Sequence, residues 1–341
     1  MAVQKLQVAV AGLGRMGKRH AVNFLHRTPR ATVVAAFTPD ETEQAWAKAN
    51  LEPHGVTIYS DYNQMINQEG LQAVVIATAT KVHAEEALAA IEKDLHVLCE
   101  KPISLSIDTC REVIQAAKAK PHLKVMCGFS RRFDSSYRDA YEKAEAGIIG
   151  RPPLSGLRPV ISTTLVVSSS IHDIDLTLWF FGEDTPVKSV AAAGVVAVAP
   201  GLKQYEDFDN AVGIVEFYGG RVAYYYCSRM MAHGQEDTTE FIGTEGKLTV
   251  NGNPQANLVN TYTNRGITRE VPAHYYGRFE YAFVAEANEF TAAALDNTKL
   301  PFNLTSALRA VEIGSYLQEA LRSQKKLYFD EIGNRIEQAS L

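Results

Sequence analysis

Cysteine is scarce in this chain and follows no pattern. The four cysteines (Cys99, Cys110, Cys127 and Cys227) form no C-x-x-C pair, and no His/Cys cluster has metal-ligand spacing, so no metal site is expected. A reducing, cytoplasmic setting is the simplest expectation. Charge of one sign is also lacking. The 34 Lys and Arg against 39 Asp and Glu give a formal net charge of -5, which leaves no basic footprint for nucleic acid. Long apolar runs are absent too. The longest, around residues 190–199, stops at Pro200 and is too short to span a bilayer, so no membrane partner is expected. No basic start followed by a long apolar stretch suggests a secretory leader. Neither an internal repeat, nor a low-complexity tract, nor a Ser/His/Asp array for acyl transfer stands out.

What is present is an alternation. In the first part, short apolar runs at residues 6–11, 32–37, 73–77, 95–99 and 124–129 read as strands covered on both faces. Between them lie helical patterns. In one, Ile107, Cys110, Val113, Ile114 and Ala117 share a face, with Pro121 soon after to stop the helix. Strand–helix alternation of this kind predicts a doubly wound parallel sheet. From about residue 151 the rhythm changes. Residues 211–218 and 221–228 flank Gly219-Gly220, and 241–242 and 247–250 flank a turn from Gly243 to Gly246. Both read as hairpins. A helix over residues 171–181 is closed by Gly182. A later one carries Phe279, Phe283 and Phe290, and another aligns Ala307, Val311, Gly314, Leu317 and Leu321. The chain is thus expected to form an α/β domain over residues 1–128 and an α+β domain with a largely antiparallel sheet over 129–341.

The first strand runs into Gly12-Leu13-Gly14-Arg15-Met16-Gly17. In a strand–turn–helix context this spacing is a dinucleotide site. Gly12 permits the tight turn, Gly14 lets the backbone approach a pyrophosphate, and Gly17 lets the helix pack on the sheet. The helix start then offers free N–H groups to the phosphates. The second strand should end in an acid that holds the ribose hydroxyls of NAD. Thr38 occupies that place and Asp40 comes two residues late. A neutral hydroxyl there, with Arg15 or Lys18 as a positive partner, leans mildly toward NADP over NAD. Asp40 is equally readable as the N-cap of the next helix.

Two groups carry the chemistry. Lys101, in Glu100-Lys101-Pro102, follows a strand end, where ligands of open α/β sheets bind. It can hydrogen-bond a substrate hydroxyl and help its proton leave; the plainer reading is a solvated surface lysine. His172 and Asp175 lie three apart on a helix and share a face. His172 can accept a proton near neutral pH, and Asp175 can orient it or bind substrate. The plainer reading is a helix start whose acids complement the dipole. Thr78 and His83 follow the third of these strand runs and are placed on the cofactor side. His20, in the first helix, reads as structural.

In these motifs, together with Gly128-Phe129-Ser130-Arg131-Arg132-Phe133-Asp134 and His172-Asp173-Ile174-Asp175, the chain resembles the Gfo/Idh/MocA oxidoreductases, and most closely their inositol 2-dehydrogenase branch. Weaker echoes are Ser228-Arg229, the Gly243-to-Gly246 turn and Arg278-Phe279. The resemblance implies an N-terminal Rossmann domain and a C-terminal domain with an open sheet, whose outer face forms a homodimer or homotetramer. It implies a polyol or sugar as substrate, with Lys101 positioning it, His172 accepting the proton, and Glu100 near the cofactor. Arg131, Ser168 and Asp175 are expected on the substrate side. One departure stands out. Relatives of this branch place an aspartate four residues before the histidine, where this chain has Ser168, and the stretch from 151 to 167 is several residues short. A nucleotide-binding sensor or regulatory protein that has lost turnover is therefore the alternative reading.

Overall fold

The computed structural model describes residues 4–150, 154–159, 166–228, 230 and 234–337, and side chains at 154–159 and 166–169 are outside the description. The chain divides into two compact units. The first gathers residues 1–133 and 281–311, and the second gathers 134–280 and 312–341.

In the first unit, β1 (Leu6–Ala11), α1 (Arg15–His26), β2 (Ala31–Phe37), α2 (Glu41–Asn50), β3 (Thr57–Tyr59), α3 (Tyr62–Ile66), β4 (Ala73–Ile76), α4 (His83–Glu92), β5 (His96–Cys99), α5 (Ile107–Ala119) and β6 (Val125–Cys127) follow in order. The six strands pair in the order β3-β2-β1-β4-β5-β6, all parallel. Helices on both faces explain the near-continuous apolar strands. Val8, Ala9, Val10 and Ala11 of β1 and all four residues of β4 are fully buried. The order reverses between β1 and β4, and a crevice opens at such a switch point beyond the strand ends. The three-residue β3 was not anticipated from the sequence.

In the second unit, α6 (Ser135–Glu145), β7 (Leu154–Pro159), α7 (Val166–Phe181), β8 (Val187–Val195), β9 (Asn210–Phe217), β10 (Arg221–Ser228), β11 (Asp237–Ile242), β12 (Lys247–Val250), β13 (Asn260–Thr263) and β14 (Gly266–Arg269) follow. Helices α8 (Tyr275–Asp296) and α9 (Thr305–Ser323), which are divided between the two units, precede β15 (Leu327–Phe329) and β16 (Arg335–Ile336). An eight-stranded sheet runs β12-β11-β7-β10-β9-β8-β15-β16. Among the described residues of this sheet, only β7 and β10 pair in parallel. The apolar run near residue 190 is the edge-ward strand β8. Gly182, at φ 98°, ends α7 as expected. Arg221 and Thr185 then donate to the last carbonyl, that of Phe181, at 2.7 Å each, which satisfies a group the helix cannot.

The units differ from a division at residue 128 in two respects, the first being a boundary after Phe133. Second, residues 281–311 join the first unit, so neither unit is one continuous stretch. The cause is aromatic packing. Phe302 lies 6.2 Å from Phe129 and 6.0 Å from Phe133 between ring centroids, and Phe283 meets the edge of His20 at 5.7 Å. Arg30 adds a two-pronged pair to Asp296 at 2.6 and 2.7 Å.

Candidate functional site

The glycine turn is built by crowding on two sides and left open on the third. Gly12 has φ 81°, and a Cβ there would lie 2.6 Å from the Thr78 backbone. Any side chain would be both strained and blocked. A Cβ on Gly17 would lie 1.8 Å from the Gly12 carbonyl oxygen, so Gly17 sets how closely α1 packs on β1. Gly14 is different. A Cβ there would meet only Glu43 Oε1, at 3.4 Å, which is ordinary contact. Gly14 is also the N-cap of α1, with no side-chain cap and no acid in the first turn. A helix start of this kind presents uncapped N–H groups and the positive end of the helix dipole. Those two features fit an anionic phosphate.

The turn opens into a cleft of about 660 Å³ lined by Gly12, Gly14, Arg15, Met16, Thr38, Glu43, Thr78, His83, Glu86, Glu100 and Lys101. The strand ends thus bring together most of the residues expected to hold a cofactor. Leu13 and Gly17 do not line it. Leu13 is buried and its N–H donates to Glu43 Oε2 at 3.2 Å.

Each lining group has a defined task. Thr78 donates its hydroxyl to Glu86 Oε2 at 2.6 Å. Burial pushes the Glu86 carboxyl up to about 7, with the Thr78 hydrogen bond working against it. His83 lines the cleft, but both ring nitrogens already face carbonyl oxygens, Pro102 O at 2.9 Å and Thr78 O at 3.1 Å. It braces the strand ends rather than offering a free nitrogen. Glu100 Oε1 meets His20 Nε2 at 2.8 Å, and Glu100 Oε2 accepts from the Lys101 N–H at 3.2 Å. Burial works to raise the Glu100 carboxyl, but the His20 hydrogen bond and charge prevail and hold it below the usual range. His20 is therefore the structural partner of Glu100.

Lys101 is half-buried at the end of β5. Burial, with Arg131 and Arg15 nearby, lowers its ammonium below the ordinary lysine value, against the opposing pull of Glu100. A solvated surface lysine has neither the burial nor these neighbours. Arg131 is itself buried, on a short 3₁₀ turn after β6.

In the second unit, His172, Asp173 and Asp175 are all buried on α7. The His172 ring stacks on Tyr275 at 5.6 Å with an interplanar angle of 23°. Tyr275 went unrecognised in the sequence because nothing local links it to His172. Ser168 lies within α7, its side chain outside the described residues, as is Arg229. Among the described residues no group of three or more His, Cys, Asp or Glu side chains is placed to hold a metal ion, and no helix is long and apolar enough to cross a membrane.

Asp40 is the N-cap of α2, accepting from the N–H groups of Thr42 and Glu43 at 2.9 Å each. Lys18 stacks over the Trp46 ring at 5.2 Å.

Comparison with known proteins agrees with this geometry. Residues 6–129 match the model of an oxidoreductase family with an NAD-binding Rossmann fold, and residues 130–249 match the GFO/IDH/MocA C-terminal domain. The chain is 29% identical over 312 residues to the scyllo-inositol 2-dehydrogenase (NAD(+)) of Bacillus subtilis strain 168, covering 87% of this chain and 88% of that protein. It is 29% identical over 305 residues to an inositol 2-dehydrogenase of Rubrobacter xylanophilus, covering 86% and 84%. A crystal structure of scyllo-inositol dehydrogenase from Lactobacillus casei, with bound NAD(H) and scyllo-inositol, superposes with a TM-score of 0.90. The identity is 28%, and the match covers 95% of this chain and 99% of that one. With both halves matched and the glycine turn formed as the fold requires, the chain belongs to the GFO/IDH/MocA family of oxidoreductases and carries its NAD-binding Rossmann fold.

Proposed function

We propose that the protein transfers a hydride between NAD and the carbon of a secondary hydroxyl on an inositol or a closely related cyclitol. The observation that carries this reading lies in the first unit. Lys101, with its lowered ammonium, shares one cleft with an uncapped helix start and an unobstructed Gly14. The relatives named for inositol oxidation support the substrate class.

When bound, NAD supplies the nicotinamide carbon that takes the hydride. Gly12, Gly14, Arg15 and Met16 hold its phosphates, with Thr38 toward the ribose and Thr78, His83 and Glu100 shaping the nicotinamide side. Lys101 hydrogen-bonds the substrate hydroxyl, and its lowered ammonium exchanges a proton more readily than an ordinary lysine. His172 accepts the hydroxyl proton, because an imidazole changes charge near neutral pH. Tyr275 supports its ring, and Arg131 and Asp175 contact the remaining hydroxyls.

Ser168 favours one further reading, a protein that binds the nucleotide without turnover. A panel of inositols and aldoses, followed by NADH formation, separates the two. Turnover on a cyclitol supports the dehydrogenase; NADH binding without turnover on any polyol supports the sensor.

We also propose that the second unit's sheet pairs with other copies of the chain as a homodimer or homotetramer. Val212 and Ile214 of β9 are 47% and 48% exposed. Their cross-strand neighbours Ala193 and Ala191 of β8 and Tyr226 and Tyr224 of β10 extend an apolar face that monomers rarely leave open. Sedimentation velocity tests this: a monomer at micromolar concentration contradicts it. The four cysteines form no disulfide, which supports a reducing, cytoplasmic setting.

A further inference from the structure

We propose that Glu43, in the first turn of α2, replaces the missing acid at the end of β2 and selects NAD over NADP. This rests on the reading that the cleft holds a dinucleotide.

The adenosine ribose of a dinucleotide lies beyond the carboxyl end of β2, where an acid ordinarily accepts from its hydroxyls. Here that position is Thr38, fully buried and uncharged. The spacing Asp40-x-x-Glu43 is that of a capping box, in which the glutamate reaches back to the N-cap N–H. Only half of the box forms. Asp40 caps α2 through the Thr42 and Glu43 N–H groups. Its own N–H donates instead to Thr38 Oγ1 at 3.3 Å. The Glu43 side chain is diverted to the glycine turn. Its Oε2 accepts from the Leu13 N–H at 3.2 Å and from the Thr38 hydroxyl at 2.5 Å.

Two donors on one oxygen fix the carboxylate in the cleft wall and leave the other oxygen for a ligand. Glu43 Oε1 has no hydrogen-bond partner among the described residues and lies 3.4 Å from where a Cβ on Gly14 would sit. An acceptor oxygen held there suits a ribose hydroxyl. A 2′-phosphate would bring its charge against a fixed carboxylate, and like charges placed together are strongly disfavoured. Lys18, one of the two cations available to offset that charge, is engaged with the Trp46 ring. The lean toward NADP drawn from Thr38 therefore reverses, because the charge absent from the end of β2 is delivered from α2.

The test is kcat/KM and dissociation constants for NAD(H) and NADP(H), in the wild type and in Glu43→Gln. Glutamine keeps an acceptor for Leu13 and Thr38 but removes the charge. The wild type is expected to prefer NAD, and Glu43→Gln to lower the NAD-to-NADP ratio by roughly tenfold or more, mainly through tighter NADPH binding, as removal of a like-charge contact predicts. A ratio unchanged within about twofold, or an equal loss for both cofactors, would mean that Glu43 only fastens the loop, and overturns the proposal. A wild type that prefers NADP also overturns it. Failure of the wild type to bind either dinucleotide overturns the reading of the cleft as well.

Discussion

Buried charge at Glu86, Lys101 and Glu286 in the first unit contrasts with that at Asp134 and Asp209 in the second. In the first, ionisable side chains are buried with incomplete or unequal compensation. Glu86 is pushed up to about 7 and Lys101 is lowered. Glu286 is fully buried with neither carboxylate oxygen hydrogen-bonded, and burial pushes it well up. In the second unit, Asp134 and Asp209 are compensated group by group. Arg278 grips Asp134 with two hydrogen bonds at 2.7 and 3.2 Å, and Asp134 also caps α6 through the Ser136 and Tyr137 N–H groups. Asp209 accepts from three successive backbone N–H groups, those of Ala197, Val198 and Ala199. Paired charge of the second kind maintains a fold. Shifted charge of the first kind, as at Glu86 and Lys101 in one cleft, marks chemistry.

Substitutions can break this contrast. The largest effect is expected at Lys101. Lys101→Ala should lower kcat by about 10²- to 10⁴-fold, the usual contribution of a positioned proton-transfer group. NADH affinity, measured by fluorescence titration, should barely change. Equal losses in both would place Lys101 in cofactor binding instead. In the second unit, Arg278→Met should destabilise the fold by about 3 kcal/mol, because it strands a largely buried carboxylate. Urea unfolding would read that loss, and a neutral result would mean Asp134 is satisfied by its capping role alone.

Glu86 connects stability to pH. Its folded pKa of about 7 lies above the unfolded value near 4.5, so between those values the folded state holds a proton that the unfolded state has released. The stability contributed is present below about pH 4.5 and is lost as pH rises to about 7, in total about 3 kcal/mol. Glu86→Gln should therefore flatten the fall in stability across that window. An unchanged slope would show that Glu86 titrates normally. A last comparison separates the glycines. Gly14→Ala should leave the melting temperature nearly unchanged but weaken NADH binding by about tenfold, since a methyl group there meets the ligand rather than the protein. Gly17→Ala should destabilise the protein, because its Cβ would collide with Gly12.

Much of the first unit was legible in the sequence, for a physical reason. Strands buried on both faces leave continuous apolar runs, and a turn that needs positive φ leaves a glycine, as at Gly12. Lys101 was legible because a strand end is a fixed place in the fold. Features that depend on long-range packing were not. The three residues of β3 are too few to show a pattern. The return of residues 281–311 to the first unit depends on Phe283 and Phe302 finding His20, Phe129 and Phe133, and the helical periodicity of α8 names no partner. Glu43 was overlooked because its spacing from Asp40 reads as a cap, and only the folded chain shows the side chain turned to Leu13. The buried Glu286 sits among residues that read as an ordinary helix.

A crystal structure with NADH bound would test the central claim most directly. The account predicts the pyrophosphate on the N–H groups that open α1 beside Gly14, the ribose hydroxyls on Glu43, and the nicotinamide on the Lys101 side of the cleft. A dinucleotide bound elsewhere, or one whose nicotinamide points away from Lys101, would contradict it.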